Sequence, residues 1–158
     1  NDLQLKSVLS GVRYMMLTTR GERGTLASRP LQLLELDDAG SLWFFTARSS
    51  RKMRDIRHDA NVNVAFADQD RKIFVGVEGR AELVVDRDKA AHLWSAMQTV
   101  FFPLGREDPE LVLLKITPVG AHYWDGKESI LGTIIKLGKA VISGQAQDLG
   151  TSAKIPLA

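Results

Sequence analysis

The sequence predicts a mainly β protein, a closed or nearly closed barrel with a few flanking helices. Six or seven segments have strand-like hydrophobic patterns, turn signals separate them, and only short stretches show helical periodicity. Many short strands with few helices favour closure, because a closed sheet leaves no long exposed edge. The 158 residues, 44% of them hydrophobic and 25% charged, are typical of one soluble domain with a real core.

The first part of the chain predicts one helix and three strands. Residues 2–10 favour a short helix, since Asp2 can cap it and its leucine and valine residues share one face. Strand patterns follow over residues 12–19, 26–36 and 41–46. Pro30 lies inside the second pattern, and because proline cannot donate to a β-ladder, it marks an edge, a bulge or an irregular position.

The rest of the chain predicts four strands around one longer helix. Strand patterns cover residues 61–67, 72–85, 110–117 and 120–125. Gly76 and Gly79 lie inside the second of these, where glycine indicates a bulge or a close backbone approach. Helical periodicity covers residues 86–101 and 134–142, and the tail after Gly144 has only weak structural signals.

One stretch is unusually basic. Residues 48–57 hold five basic residues against one acidic residue, a net charge of +4, whereas the whole chain has 21 Lys and Arg against 19 Asp and Glu. Ser49 or Ser50 can cap a helix there, which places Arg51 and Lys52 in its first turn. Cations oppose the helix dipole at that end, whereas an anion is stabilised by it. The stretch therefore indicates an anion site, and a solvated basic helix face remains the alternative.

Two further residues are candidates for ligand binding. Arg29 lies beside Pro30, where the strand pattern is irregular, and its guanidinium offers a fork suited to phosphate. Trp124 lies near a strand end, where it could belong to the core, to an interface or to a ring-stacking site.

The composition excludes several kinds of chemistry. The chain has no cysteine, which excludes disulfides, thiolate metal sites and cysteine nucleophiles. Its three histidines show no metal-ligand spacing and support no catalytic triad, and no glycine-rich phosphate loop occurs. No apolar run reaches the ~18 residues of a membrane span. We expect a cytoplasmic protein with no metal ion and no membrane partner.

Seven short motifs occur in an order and spacing that resemble a known family. They are SRPL (28–31), LWFFT (42–46), SSRK (49–52), VEGRAELV (77–84), LW (93–94), FFPLGREDP (101–109) and HYWD (122–125). Each motif alone is weak, but the ordered set is specific and spans roughly residues 2–145. Together the motifs resemble the pyridoxamine 5'-phosphate oxidase-like split barrels, in particular the general stress protein 26 branch.

The resemblance implies a fold, a cofactor and a partner. The fold is a six-stranded antiparallel split β-barrel with flanking helices, which would give a flavin-binding domain over residues 1–145 and a C-terminal tail over residues 146–158. The cofactor is FMN, with FAD as the alternative. The protein is expected to be a homodimer that holds one flavin in each of two clefts at the subunit interface.

The resemblance also implies which residues bind the flavin. These are Arg29, Pro30 and Leu31 on the strand along the flavin and its phosphate, Phe45 and Thr46 facing the ring and ribityl chain, Ser50, Arg51 and Lys52 in the phosphate-binding turn, and Trp124, contributed by the partner subunit. The remaining basic residues of the stretch, Arg48, Arg54 and Arg57, match no binding position and are interpreted as solvated surface.

Four positions depart from the pattern of the true oxidase. Leu34 stands where the oxidase has a lysine for the substrate phosphate, and Ile130, Gly132 and Ile134 stand where it has an arginine, a histidine and a further arginine. The resemblance implies that three of these four groups would bind the substrate and one the flavin, and a dianionic phosphate left unpaired in a largely apolar pocket is costly. The sequence is therefore interpreted as a flavin-binding general stress protein without pyridoxamine phosphate oxidase activity.

Two other functions stay open at this point. The first is a flavin-dependent oxidoreductase acting on an unknown small molecule, in which the flavin supplies hydride or electron transfer and no residue is identified as a general acid or base. The second is a nucleic-acid-binding barrel. It is disfavoured because the basic stretch is not interleaved with exposed aromatic residues, which single-strand binders require.

Overall fold

A computed structural model of the chain describes Lys6, residues 9–125 and the strand Ser152–Pro156. The helix predicted over residues 134–142 lies outside this part of the chain, as do Asp2 and most of the helix predicted over residues 2–10.

The described strands form one antiparallel sheet. They are β1 (Tyr14–Arg20), β2 (Leu26–Gln32), β3 (Glu35–Leu36), β4 (Leu42–Ala47), β5 (Asn61–Asp68), β6 (Ile73–Val84), β7 (Leu111–Asp125) and β8 (Ser152–Pro156). Their order is β2-β1-β5-β6-β7-β4-β3, and β8 pairs with β7 outside this path. Because β2 contacts β4 across the sheet, the path curls back on itself. The path has seven strands rather than the expected six, since the two-residue β3 adds one short pairing with β4.

The predicted strand over residues 26–36 divides into β2 and β3. The backbone N–H of Leu33 donates to the Arg13 carbonyl at 2.8 Å, whereas that of Leu34 donates to the Trp43 carbonyl at 2.9 Å. Between Leu33 and Leu34, the backbone therefore changes its hydrogen-bond partner from the residue that precedes β1 to strand β4. Pro30 stays inside β2, which is compatible with its missing N–H because β2 lies at the end of the described path.

The two predicted strands over residues 110–117 and 120–125 join into the single strand β7. Pro118 lies opposite Gly79 at an irregularity of the β6–β7 ladder, where the register shifts between Glu78 and Gly79. A proline is tolerated there because a bulge does not require every N–H of the ladder. Strand β8 lies in the tail for which the sequence gives only weak structural signals, and it extends the sheet beside β7.

Two α-helices and two 3-10 helices that the structure describes over their full length flank the sheet. Helix α1 (Arg51–His58) buries its apolar pair, Met53 and Ile56, as their spacing predicts, and its N-cap is Ser50. The helix predicted over residues 86–101 is shorter: α2 covers Arg87–Leu93, and 3-10 helices follow over Ala96–Val100 and Gly105–Glu107.

Helix α2 ends at its C-cap residue, Trp94. Its backbone is extended, with φ −68° and ψ 136°. This conformation brings its ring to 6.0 Å from the ring of Phe45, measured between centroids. Packing against β4 therefore overrides the local helical pattern of this segment.

Strand β4 is buried on both faces and separates two apolar clusters. Leu42 and Phe44 face the barrel interior, where they pack with residues such as Leu17 and Val64. Their neighbours on the other face of β4 belong to a second cluster, formed by Trp43, Phe45, Phe102 and Leu113. The alternation of the strand explains this division, because successive side chains point to opposite faces of a sheet.

Candidate functional site

An open cleft of about 390 Å³ lies beside β2, β4 and the start of α1. We call it the Arg29 cleft. Its lining residues are Tyr14, Arg29, Pro30, Leu31, Gln32, Leu34, Phe45, Thr46, Ala47, Lys52, Gln98, Phe101 and Phe102. The lining combines two basic side chains with a larger set of apolar and aromatic ones, so the cleft suits a ligand that has both an anionic and an aromatic part.

Arg29 is held by a hydrogen-bond network from two other elements. Its Nη1 donates to Thr19 Oγ1 at 2.7 Å and to the Leu17 carbonyl at 3.4 Å, both on β1. Thr19 Oγ1 donates in turn to Asp55 Oδ2 on α1 at 2.8 Å, and Arg29 Nη2 lies 3.7 Å from the same carboxylate oxygen. Thr19 and Asp55 are almost completely buried. The network therefore fixes the guanidinium with a part of its donors still unused.

Lys52 lies in the first turn of α1 and lines the same cleft. Burial lowers the pKa of Lys52, and the charge of Arg29 lowers it further. Burial also lowers the pKa of Arg29; the charge of Asp55 opposes this effect and that of Arg51 adds to it. Both cations are thus held where their protonated forms are destabilised, and an anion beside them would relieve this cost.

The start of α1 offers further donors at the basic end of the cleft. Ser50 is the N-cap residue, but its side chain makes no capping hydrogen bond, and its Oγ lies 3.4 Å from Thr46 Oγ1. The first N–H groups of a helix have no intrahelical partners, and the helix dipole places partial positive charge there. With Lys52 and Arg29 nearby, this end of the cleft has the chemistry of an anion-binding site.

Ser49 holds the turn that precedes α1. Its backbone N–H and its Oγ donate to Glu110 Oε2 at 3.0 and 2.6 Å, and these hydrogen bonds lower the pKa of Glu110. From the sequence, Ser49 is only a possible helix cap. Its contact joins residues 61 positions apart, so no local pattern could have indicated it.

The aromatic side of the cleft is formed by β4 and the segment after α2. Phe45 packs edge-on against Phe102, with 6.4 Å between ring centroids, while Phe101 is 71% exposed at the surface. Gln98 Nε2 donates to Gln32 Oε1 at 2.9 Å, which ties the 3-10 helix to β2. The cleft therefore places a pair of amides among aromatic side chains.

The structure brings six of the nine predicted flavin-binding residues into one cleft: Arg29, Pro30, Leu31, Phe45, Thr46 and Lys52. Ser50 is not among the lining residues, but its Oγ lies 3.4 Å from Oγ1 of Thr46, which does line the cleft. Arg51 is exposed on α1 and does not line the cleft, although its charge acts on Arg29.

Trp124 lies elsewhere on the same chain. It is 41% exposed near the end of β7 and stacks on His122, with 6.3 Å between ring centroids. It lines a second open cleft, of about 540 Å³, together with exposed apolar side chains that include Met16 and Phe74. We call this the Trp124 cleft. Within one chain, Trp124 is therefore not among the residues that line the Arg29 cleft.

Seven lining residues were not predicted from the sequence as binding residues: Tyr14, Gln32, Leu34, Ala47, Gln98, Phe101 and Phe102. Phe101 and Phe102 fall in one of the family-like motifs, which was the available signal. Gln98 had no such signal, because its predicted helix gave no reason to place its amide against β2.

The other basic residues of the stretch behave as predicted. Arg54 and Arg57 are exposed, and their guanidinium groups donate to the carbonyls of Ser49 and Arg48 at 3.3 and 3.4 Å. Among the described residues, no group of His, Asp or Glu side chains could hold a metal ion. No helix in the described part of the chain has the length and apolar run needed to cross a membrane.

Comparisons with known proteins agree with this geometry. The chain is 29% identical to Protein bli-3 of Neurospora crassa over 151 residues, which cover 89% of this chain and 72% of that protein. Among solved structures, it is similar to the general stress protein 26 of Bacillus anthracis, with 26% identity and a TM-score of 0.69 over 77% of this chain and 92% of that chain.

A second solved relative is described by its ligand. The general stress FMN/FAD binding protein of Xanthomonas citri is 26% identical, with a TM-score of 0.67 over 80% of this chain and 89% of that chain. These likenesses confirm the predicted split-barrel fold, with seven strands on the sheet path rather than six.

The family assignment follows from nearly the whole chain. A family model described as "Pyridoxamine 5'-phosphate oxidase like" matches residues 2–148. The motifs, the curled antiparallel sheet and the solved relatives all agree with that match. The chain belongs to the pyridoxamine 5'-phosphate oxidase-like family.

Proposed function

We propose that this protein binds FMN in the Arg29 cleft, with the phosphate at Arg29 and Lys52 and the ring among the aromatic residues. One observation supports this above the others. Two cations with pKa values lowered by burial lie at one end of a cleft that is otherwise mainly apolar. A phosphate group on an aromatic ligand matches both properties.

The residues present fit the phosphate of FMN. Arg29 offers unused guanidinium donors, Lys52 offers an ammonium group, and Thr46 and Ser50 offer hydroxyl groups. The first turn of α1 adds backbone N–H groups and the positive end of its dipole. Arg51, exposed on the same turn, would contribute long-range charge to this site.

The residues also fit an aromatic ring. Phe45 and Phe102 pack against each other and form an apolar wall of the cleft. Pro30 and Leu31 extend this wall along β2. A bound flavin would supply hydride or electron transfer at this position. The described lining of the cleft contains no His, Asp or Glu, so Tyr14 and Lys52 are the groups of this chain that could move a proton there.

We propose that the protein is not a pyridoxamine phosphate oxidase. Leu34 lines the cleft with an apolar side chain at the position where the oxidase has its substrate-binding lysine. The other three departures, at residues 130, 132 and 134, lie outside the described residues. A phosphorylated substrate would thus meet an apolar group where it needs a cation, which is costly.

We further propose that the protein is a homodimer and that Trp124 completes the flavin site of the partner subunit. Trp124 lies in a different cleft from Arg29, yet it is partly exposed and surrounded by exposed apolar side chains. Contiguous exposed apolar groups of this kind are typical of contact surfaces. In a dimer, Trp124 of one subunit would reach the Arg29 cleft of the other subunit, whereas it does not line the Arg29 cleft of its own chain.

The relatives support a stress-related flavoprotein, and the Xanthomonas citri protein is an FMN/FAD binding protein. We propose FMN as the ligand here, with FAD as the alternative, in a cytoplasmic protein. A flavin-dependent oxidoreductase remains the second candidate function. Anaerobic reduction of the bound flavin by NADH or NADPH, faster than that of free FMN, would favour it.

Titration with flavins tests the proposal. Purified protein should bind FMN at micromolar concentration with a change in flavin fluorescence, and it should bind riboflavin more weakly because riboflavin has no phosphate. The FAD dissociation constant, measured in parallel, decides between the two cofactors. A protein that binds neither FMN nor FAD at these concentrations would refute the proposed function.

A further inference from the structure

The amide pair Gln32–Gln98 is the polar feature of the aromatic part of the cleft. Gln98 is 4% exposed, and its Nε2 donates to Gln32 Oε1 at 2.9 Å. Burying an amide among apolar groups is costly unless its hydrogen-bonding positions are used. Each glutamine amide offers two N–H donors and a carbonyl oxygen with two lone pairs, so one mutual hydrogen bond leaves most of them for a ligand.

The pair stands at a defined distance from the basic end. Gln32 follows Arg29 by three residues on β2, and three residues of extended chain span about 10 Å. This odd spacing points the two side chains to opposite faces of β2, and the cleft that both of them line extends past this strand at the end of the described sheet path. Gln98 reaches this point from the 3-10 helix after α2. A ligand anchored by an anionic group at Arg29 would therefore present its far end to the two amides.

The pair can present a donor and an acceptor side by side. One amide supplies an N–H and the other a carbonyl oxygen, and rotation of both amide groups by half a turn exchanges their order. The matching ligand edge has a carbonyl next to an imide N–H. The pyrimidine end of the flavin ring has this pattern, with its N3–H between two carbonyl groups.

We infer that Gln32 and Gln98 recognise the imide edge of the flavin ring and so determine the specificity of the cleft for flavins over other phosphorylated aromatic ligands. This proposal rests on the proposed function, since it requires a flavin in the cleft. It assigns to Gln98 a binding role in addition to its structural contact with β2.

The test pairs a change in the protein with a change in the ligand. FMN and N3-methyl-FMN, which lacks the imide N–H, are titrated by fluorescence into wild type, Gln98→Met and Gln32→Met. Methionine keeps the length of the side chain and removes the amide, and Gln69→Met, in an exposed turn, is the matched control. Thermal unfolding of each variant without flavin verifies that it is folded.

Wild type and Gln69→Met should bind FMN more tightly than N3-methyl-FMN by about tenfold, the factor that corresponds to one hydrogen bond. In Gln98→Met and in Gln32→Met this preference should largely disappear, because FMN binding weakens and N3-methyl-FMN binding does not. If both variants keep the full preference while FMN still binds, the amide role is wrong and the proposed function stands. If wild type binds neither flavin, both proposals fail.

Discussion

Nη2 of Arg29 lies 3.7 Å from Oδ2 of Asp55, and the hydroxyl of Thr19 links the same two side chains through hydrogen bonds. This relationship joins β1, β2 and α1 at one point. The same contact that holds the barrel to helix α1 also orients the cation that we propose to bind phosphate. Fold stability and ligand binding are therefore coupled at this position.

Asp55→Asn should destabilise the folded protein by about 1–2 kcal/mol, because it weakens the hydrogen bond from Thr19 and leaves Arg29 without its counter-charge. Urea unfolding measures the change. Asp38→Asn is the control, since its ion pair with Lys6 is at the surface and should be worth less than about 1 kcal/mol. Equal effects of the two substitutions would show that the buried network adds no stability.

Lys52 should make the stability of the flavin-free protein depend on pH. Its pKa in the folded state is lowered below 10.5, so as pH rises the folded protein releases this proton before the unfolded chain does. The unfolded state then binds more protons, and the contribution of Lys52 to stability rises with pH in the window below 10.5. Below the folded-state pKa, Lys52 is charged in both states, so the cost of burying its charge destabilises the folded protein in full.

Lys52→Met, which keeps the aliphatic stem, should thus be at least as stable as wild type near neutral pH, and its advantage should shrink as pH approaches 10.5. Lys72→Met, in an exposed turn, controls for the substitution itself. Urea unfolding at a series of pH values measures both. A Lys52→Met protein whose relative stability grows with pH would contradict the assignment.

Two glycines of β6 should respond differently to alanine. A Cβ at Gly79 would lie 2.7 Å from Ile116 Cγ2 and 3.0 Å from the Thr117 carbonyl oxygen, whereas at Gly76 the nearest atom, Asn63 Nδ2, is 3.9 Å away. Gly79→Ala should cost about 1–3 kcal/mol through overpacking, and Gly76→Ala should be close to neutral. Chemical denaturation compares them, and equal stabilities would refute the close approach at the bulge.

The proposed contribution of Trp124 across the dimer can be tested by mixing subunits. Trp124→Ala and Arg29→Ala should each bind FMN poorly alone. After the two are co-refolded, half of the dimers are mixed and each of these has one intact site, so about a quarter of all sites should bind FMN tightly. If no tight sites appear, although each variant alone is folded and dimeric, Trp124 does not act across the interface.

The basic residues at one end of the cleft could be predicted from the sequence. The helix-dipole argument at Lys52 and the guanidinium chemistry of Arg29 depend on residue types and local spacing, and these two residues do lie together. Arg51 shows the limit of that reasoning. It occupies the same turn as Lys52, but its direction from the helix leaves it exposed.

The rest of the site depends on contacts between distant segments. Gln98 meets Gln32 across 66 positions, and Phe102 reaches Phe45 because the chain leaves the helical pattern at Trp94. Periodicity describes one segment at a time, so it cannot show which segment packs against which. For the same reason, it predicted one strand where the chain divides into β2 and β3.

Arg29 and Lys52 are the two residues that we propose bind the phosphate of FMN. The most direct test is the ratio of the riboflavin to the FMN dissociation constant in wild type, Arg29→Ala and Lys52→Ala, with Arg54→Ala on the exposed face of α1 as the control. We expect each cleft variant to weaken FMN binding by about tenfold or more, since a hydrogen bond to a charged group is lost, and to change riboflavin binding by less than about twofold. An equal loss of affinity for both flavins, or the same effect from Arg54→Ala, would contradict the account.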